Sequence, residues 1–452
     1  MFRFFGKINT ITGDIMRGRL VLLFIIAGLW VSLFIFQNYL NTFWASITLL
    51  VFMVLYSAYM YIAFKHQVRK LKKHPPVVNQ NYRPFISIMI PAHNEAEVIR
   101  DTVENIIKVD YENYEIILID DRSTDDTAIA IKQINAEMPD IKYIIREKDA
   151  FPGKSAVLND ALKIAKGEAI LVFDADARIK PDFISKLVPK LESDDVGAVQ
   201  ARKVISNRNS NFLTRCQDNE MALDTHFQIG RDAVKGAVEL RGNGELIKRK
   251  ALEDIGGWNN YTITDDLDMS TRLQIKGWDI RFCPEVCVYE EGILDLIPLL
   301  RQRRRWIEGS IRRYLENFWA VLFSKDMSLR VSLDMTAYIA EFFLPIWFIS
   351  EVIFQLFRFI KYDANQILSS LTLSVLIFIF FFTGLLYSLR KYNNLKFPDN
   401  IKQSLETTFY MLFLWFPIVT FIIYKIIFTK KTLKWGKTQH GVSCADVAEL
   451  VK

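Results

Sequence analysis

The sequence indicates an α/β domain set between membrane-spanning helices. Strand and helix patterns alternate regularly from residue 85 to residue 173. The apolar residues of this 452-residue chain are gathered at its two ends, and a basic amphipathic segment joins the α/β part to the second apolar end. Hydrophobic residues make up 51% of the chain and aromatics 13%, which argues against a simple soluble domain.

Residues 20–36 form an uncharged apolar run, and residues 42–64 form another. The second is long enough to cross a hydrocarbon core of ~30 Å at ~1.5 Å per residue. Residues 37–41 are a short uncharged turn, so residues 1–74 are expected to form an N-terminal transmembrane hairpin. The first run lacks a small-residue cleavage site and is followed at once by another span, which argues against a cleaved signal peptide. Arg3, Lys7, Arg17 and Arg19 precede the hairpin, and Lys65, Arg69, Lys70, Lys72 and Lys73 follow it, so both ends are expected to be cytoplasmic. The net charge of +6 fits these juxtamembrane clusters, which attract anionic headgroups, and no nucleic-acid motif is visible.

Pro75 and Pro76 open a polar linker to Arg83, and a cytoplasmic domain is expected over residues 75–292. Strands are expected at 85–90, 115–119, 141–145 and 169–173, and helices at 96–107, 128–136 and 154–165. This alternation implies a parallel sheet covered by helices on both faces, with its ligand site at the carboxyl ends of the strands.

Residues 293–328 are expected to form amphipathic interface helices. Pro298 suits a first helical turn, and Ile307, Ile311, Tyr314, Leu315, Phe318, Trp319 and Leu322 recur at helical spacing. Arg301, Arg303, Arg304, Arg305, Arg312 and Arg313 supply charge, a composition suited to the membrane interface. The C-terminal membrane region, 329–429, holds apolar segments at 333–356, 367–389 and 405–428. The first carries Asp334, Glu341 and Glu351 and is expected to be re-entrant or interfacial, because three full crossings would put the basic tail, 430–452, outside. Of the four cysteines, Cys216, Cys283, Cys287 and Cys444, the spacing of Cys283 and Cys287 suggests a metal pair, but no second Cys or His pair at ligand spacing accompanies them, so they are expected to be buried thiols; the sparse cysteine use suits a reducing compartment.

The polar motifs fall at the expected strand ends. Pro91, Asn94 and Glu95 follow the first strand, and Asp120 and Asp121 follow the second; their carboxylates and amides can meet a base and a ribose, and the next helix starts offer free N–H groups. Asp174 and Asp176, at alternate positions ending the fourth strand, suit a hard cation such as Mg2+ or Mn2+ that would bridge diphosphate oxygens. Lys154 stands at a helix start, where a cation opposes the helix dipole, and either contacts the base or a phosphate or is solvated. Asp265 and Asp266 precede an amphipathic helix, as a base for an acceptor hydroxyl or as first-turn acids after an N-cap, with Asp266 the chosen base. Gln302, Arg305 and Trp306 share one helical face, where an aromatic platform beside a guanidinium can stack on a sugar and bind diphosphate.

In this order the motifs resemble those of the inverting, membrane-embedded family 2 glycosyltransferases, among them cellulose, hyaluronan, chitin and poly-N-acetylglucosamine synthases. The resemblance covers residues 84–320 and the tail, and implies a GT-A (Rossmann-like) glycosyltransferase domain. It also implies that Asp121 contacts uridine, Asp174 and Asp176 the UDP-bound metal, and Gln302, Arg305 and Trp306 donor diphosphate and acceptor sugar, with Asp266 as general base. Asp265 stands where the family usually has Glu. A nearer resemblance, to the cyanobacterial β-monoglucosyldiacylglycerol synthases, is carried by residues 197–203, 219–224, 239–244 and 262–268 and by the tail 435–441. It implies substrate contacts at Gly242, Asn243 and Gly244, and a gating role over UDP for Trp435 and Lys437. The implied reaction is glucose transfer from UDP-glucose to 1,2-diacylglycerol, with the lipid bilayer as partner. The alternative is a processive β-glycan synthase acting on a growing glycan, which needs a translocation channel; five apolar segments favour the lipid acceptor.

Overall fold

The computed structural model describes residues 81–338, 340–361 and 372–429, together with scattered helical positions between 28 and 79 that include 61–66. Most of the N-terminal hairpin, Cys444, and the tail with Trp435 and Lys437 lie outside the described residues.

Eight strands form one sheet in the order β3-β2-β1-β4-β7-β6-β8-β5. Strands β1 (Ile86–Ala92), β2 (Tyr114–Asp120), β3 (Lys142–Ile145) and β4 (Ala169–Val172) are mutually parallel where they pair, as the alternation predicts. Helices α1 (Ile99–Ile106), α2 (Thr127–Glu137) and α3 (Lys154–Leu162) make the crossovers. Side-chain direction alternates along these strands. Ile86, Ile88 and Ile90 therefore enter one core layer, and Met89, with Ile117 and Ile119 of β2, enters the layer on the opposite face.

The expectation of an all-parallel sheet fails at β7 (Glu245–Lys248), which runs antiparallel to β4 and to β6 (Val196–Ile205), and at the short edge strand β5 (Arg178–Ile179). The chain enters β7 through the loop at 242–244, where Gly242 and Gly244 take φ of 76° and 67°, a left-handed conformation that favours glycine. The reversal has a functional consequence. Because β7 starts where β4 ends, loop 242–244 is delivered to the carboxyl edge of the sheet, and the Gly244 N–H donates to the carbonyl of Val172 at 2.9 Å. β6 and β8 (Asp279–Glu290) pair in parallel and bring Lys203 and Glu290 to the same edge.

A 23-residue helix, α5 (Phe212–Val234), follows the short α4 (Phe183–Leu187) and starts at a reciprocal cap between Asn211 and Thr214. Beyond α6 (Arg249–Asp254), helix α7 (Asp265–Ile275) and the 28-residue α8 (Leu296–Phe323) cover the site edge. Later in the described chain come α9 (Leu329–Tyr338), α10 (Ala340–Lys361), α11 (Thr372–Tyr392), α12 (Asp399–Tyr410) and α13 (Phe416–Phe428), the last two joined by a π-type turn at Met411–Trp415. Two of the described helices, Ser374–Tyr392 and Asp399–Phe428, are long and apolar enough to cross a membrane.

Helix α8 departs from a simple interfacial helix. Ile307 and Ile311 pack with Ile346 of α10 and Ile418, Val419 and Ile422 of α13. Tyr314 packs with Met327 and Met335, and the helix is exposed towards both ends, at Leu296, Ile297, Arg301 and Arg304 and at Trp319, Leu322 and Phe323. Several arginines expected to be surface charge are internal. Arg303 is 1% exposed and pairs with Glu220 at 2.5 Å, Arg313 pairs with Glu239 at 2.8 Å, and Arg312 is buried against Glu308. The segment expected at 333–356 is divided between α9 and α10, and its Asp334 faces the protein, accepting from the Ala237 N–H at 2.7 Å.

Candidate active site

The loops after β1 and β2 are stitched together. The Asn94 side-chain oxygen accepts from the backbone N–H of Thr124 at 2.7 Å, and the Asn94 N–H donates to Ser123 Oγ at 2.8 Å. The Glu95 N–H donates to Thr127 Oγ1 at 2.8 Å. Asn94 and Arg122 both adopt left-handed backbone, φ 59° and 57°, so the two turns are shaped as a pair. Pro91 and Asp120 lie inside the last turns of the strands rather than after them. Asp120 Oδ2 accepts from the Ser123 N–H at 3.3 Å.

Asp121 differs from expectation in how its carboxylate is used. It is wholly buried, paired with Arg146 at 2.6 Å and Arg122 at 2.9 Å, and it accepts from the Gly153 N–H at 3.2 Å. Burial alone would raise its pKa, but the Arg122, Gly153 and Arg146 donors outweigh it and hold the carboxyl below its usual range. This carboxylate binds the β2 and α3 loops together; Arg146 gives no signal in the sequence because its partners are distant in the chain.

Lys154 heads a second group. Its Nζ lies 2.5 Å from Asp174 Oδ1 and 2.7 Å from the Gly242 carbonyl, and the charges of Asp174, Asp265 and Glu245 overcome desolvation to raise its pKa. The lysine is therefore internal to the site. The Asp174 N–H donates to the Asn243 side chain at 3.2 Å, and the Gly242 N–H donates to Glu245 at 3.2 Å. Asp174 and Asp176 stand in a turn beyond β4, with the Ala177 N–H donating to the Asp174 carbonyl at 3.1 Å, rather than on the alternating positions of a strand. Asp176 Oδ2 accepts from the Glu291 N–H at 3.2 Å.

Asp265 and Asp266 occupy the first turn of α7, where the helix dipole favours negative charge. Their neighbours oppose it. Burial, then the like charge of Asp265, pushes Asp266 up to about 6. Burial pushes the neighbouring Glu245 up to about 8, with Asp265 and Asp266 adding to the effect. One oxygen of Asp265 and one of Glu245 are buried without a hydrogen-bond partner. Gly242 belongs to the same group, since a side chain there would start 3.4 Å from Asp266 Oδ2.

On α8, Arg303 stacks over the Trp306 ring at 4.4 Å, and Lys203 lies 5.9 Å from the same ring. Lys203 pairs with Glu290 at 2.7 Å, and Asn243 reaches Glu290 at 3.4 Å, which links Trp306 to the Asp174 side of the site. Gln302 accepts from Arg303 at 3.1 Å, while Arg305 is half-buried and pairs with no carboxylate among the described residues. Glu245, Lys203 and Glu290 carried no motif of their own; the strand ends bring them in.

The donor set for a metal is chemically suitable but small. Asp174 and Asp176 offer the hard oxygen ligands that Mg2+ or Mn2+ takes. Among the described residues no group of three or more His, Cys, Asp and Glu is arranged to hold an ion, so further ligands would come from diphosphate and water. Cys283 is a buried thiol pushed up to about 12, Cys216 is likewise buried, and Cys287 is only half-buried.

A mixed α/β sheet with acidic residues gathered at one edge is the form of a GT-A glycosyltransferase. Residues 83–309 match the family described as "Glycosyltransferase like family 2", and the chain belongs to that family and is a glycosyltransferase. It is 38% identical over 371 residues to the β-monoglucosyldiacylglycerol synthase of Nostoc sp., covering 80% of this chain and 77% of the relative. It is 35% identical over 377 residues to the synthase of the same name from Synechocystis sp., covering 81% and 77%. Among solved structures, a mannosyltransferase of Pyrobaculum calidifontis in complex with GDP-Man and Mn2+ shares the fold, with a TM-score of 0.51 at 20% identity over 84% of this chain and 96% of that one.

Proposed function

We propose that this chain is an inverting transferase that moves glucose from UDP-glucose to the free hydroxyl of 1,2-diacylglycerol, giving β-monoglucosyldiacylglycerol. Relatives named for that product support the acceptor and the sugar. The observation that carries the reading is the position of Asp266. Thr264, two residues before it, touches α8 at Gly309, and Ile307 and Ile311 on the other side of α8 pack on the Asp399–Phe428 helix. One helix thickness, about 10 Å, thus separates the base from an apolar helix of membrane-spanning length. A lipid hydroxyl can enter such a site sideways while its acyl chains stay in the bilayer.

In the reaction Asp266 accepts the hydroxyl proton as the oxygen attacks the anomeric carbon from the face opposite UDP. One displacement with one base inverts the centre and needs no covalent sugar intermediate. Asp174 and Asp176 would hold a divalent cation, Mg2+ or Mn2+, which when bound offsets charge on the departing diphosphate. Lys154 keeps Asp174 oriented. Arg305, with no carboxylate partner among the described residues, is available to diphosphate, and Trp306 offers a face to the sugar. Asn94, Glu95, Asp120 and Asp121, with Pro91, frame the uridine pocket, and the 242–244 loop closes its inner side. Trp435 and Lys437 would cover UDP from the tail.

The protein is proposed to be a multi-pass membrane protein with a cytoplasmic catalytic domain, on the strength of the two apolar helices and the basic flanks. Incubating the purified protein with separate UDP-sugars, with and without diacylglycerol, tests the reading. A glucolipid that requires both UDP-glucose and diacylglycerol is expected; a polymer formed without diacylglycerol would refute it.

A further inference from the structure

A positive cluster at the end of α11 takes no part in the chemistry above. The Nζ of Lys391 lies 4.2 Å from the ring centroid of Phe64, 5.0 Å from that of Tyr392 and 5.5 Å from that of Tyr387. Lys65, next in the chain to Phe64, sits 5.4 Å over the ring of Tyr61. His226 of α5 approaches the rings of Tyr387 and Tyr392 at 4.9 and 6.3 Å. Arg202 of β6 covers the Tyr392 ring at 5.6 Å and donates to the Tyr392 carbonyl at 3.2 Å. Four segments far apart in sequence therefore meet around the rings of Tyr387 and Tyr392, with Lys391 and Arg202 both against Tyr392.

The charge there is not balanced. Among the described residues no carboxylate lies within ion-pair distance of Lys65, Lys391 or Arg202. Arg202 is partly met, since it donates to Asn393 Oδ1 at 3.3 Å and its charge acts on Asp218, which Arg208 holds at 3.1 Å and Asn393 at 2.9 Å, so the unbalanced charge is that of Lys65 and Lys391. His226 Nδ1, the Tyr392 hydroxyl and Arg202 Nε are buried without hydrogen-bond partners. Buried polar atoms and gathered like charges are both costly unless an anion completes them. The cluster is also separate from the site: successive side chains of a strand face opposite ways, and Lys203 turns to Trp306 while Arg202 turns to Tyr392.

The location indicates which anion. Lys391 and Tyr392 end the apolar helix Ser374–Tyr392, and tyrosines and lysines at that level mark the headgroup zone of a bilayer. We propose that Lys65, Lys391 and Arg202 form a binding site for the phosphate of an anionic membrane phospholipid, seated between the N-terminal helical residues 61–66 and α11. The proposal rests on the membrane-embedded reading of the chain. Inorganic phosphate offers the same chemistry, but only a lipid presents it at the end of a spanning helix.

The test uses the full-length protein in phosphatidylcholine vesicles with and without phosphatidylglycerol, reading retained lipid by native mass spectrometry and glucosyl transfer in parallel. Wild-type protein is expected to retain phosphatidylglycerol selectively, and Lys65→Gln with Lys391→Gln to weaken retention on the order of tenfold. The pair Lys65→Arg and Lys391→Arg should keep it. Lys396→Gln with Lys402→Gln, which removes the same charge outside the cluster, should also leave it intact. Equal retention of both lipids, or undiminished retention in the Lys65→Gln, Lys391→Gln protein, overturns the proposal, as does displacement of the lipid by inorganic phosphate. Retention intact with no transfer from any UDP-sugar would instead overturn the glucosyltransferase reading and support this site.

Discussion

As the proposed base, Asp266 has to meet two opposed requirements, to be ionised for catalysis and to sit among Asp265 and Glu245. With its carboxyl pushed up to about 6, it is protonated, and so unable to accept a proton, below that pH. The predicted kcat/KM therefore falls as pH drops through about 6, and a pH profile checks it. Asp266→Asn should lower kcat by about 10²- to 10⁴-fold, measured as glucolipid formed per minute. The same variant should melt at a higher temperature than wild type at pH 8. A carboxyl whose pKa is raised by folding stabilises the fold when protonated and loses that contribution as pH rises through the folded value, so the difference should shrink at pH 5. The acidic motifs at residues 120–121, 174–176 and 265–266 were legible because each is a short run of carboxylates at an element boundary. Their division of labour was not. Asp121 is consumed by Arg122 and Arg146, and Lys154 is locked onto Asp174, because those partners are set by loop geometry that spacing does not encode.

Helix α8 is the element on which the candidate site and the long apolar helix Asp399–Phe428 meet. A side chain at Gly309 would start 2.4 Å from Thr264 Cγ2, so the helix can lie against the start of α7 only with glycine there. Gly309→Ala should push the two helices apart at a cost of about 1–3 kcal/mol and lower kcat with little change in UDP-glucose affinity, read by melting and steady-state kinetics. Arg313 grips the same helix, donating to the Leu267 carbonyl at 3.2 Å as well as pairing with Glu239. Burial would push Glu239 up, but Arg313, Arg241 and Arg231 hold it down to about 2. Arg313→Met leaves a buried carboxylate short of its main partner and should cost about 3–5 kcal/mol in a denaturation experiment. The apolar period of α8 was visible in sequence. Its arginines misled, because a basic helix reads as solvated until Glu220 and Glu239 are found facing it.

At the scale of the whole molecule, the α/β alternation predicted the four parallel strands and their crossovers, where each strand is followed by its own helix. It did not predict the reversal of β7, because a hydrophobic period marks a strand without giving its direction in the sheet. That reversal completes the site by placing Asn243 beside Asp174. The long helix α5 also escaped the pattern. Its buried face is largely polar, with Asn219 donating to Thr407 at 2.9 Å and Glu220 accepting from Trp415, so hydrogen bonds join the apolar packing of Leu213 and Cys216 where it docks on the Asp399–Phe428 helix. The sheet and an apolar helix are thereby joined as one body, with the proposed base next to the joint. The most direct test of this arrangement is the anomeric proton coupling in the NMR spectrum of the product made from UDP-glucose and diacylglycerol. A β-glucosyl lipid is predicted, whereas an α-linked lipid, or sugar found only in a lipid-free polymer, would contradict single-step transfer to a membrane hydroxyl.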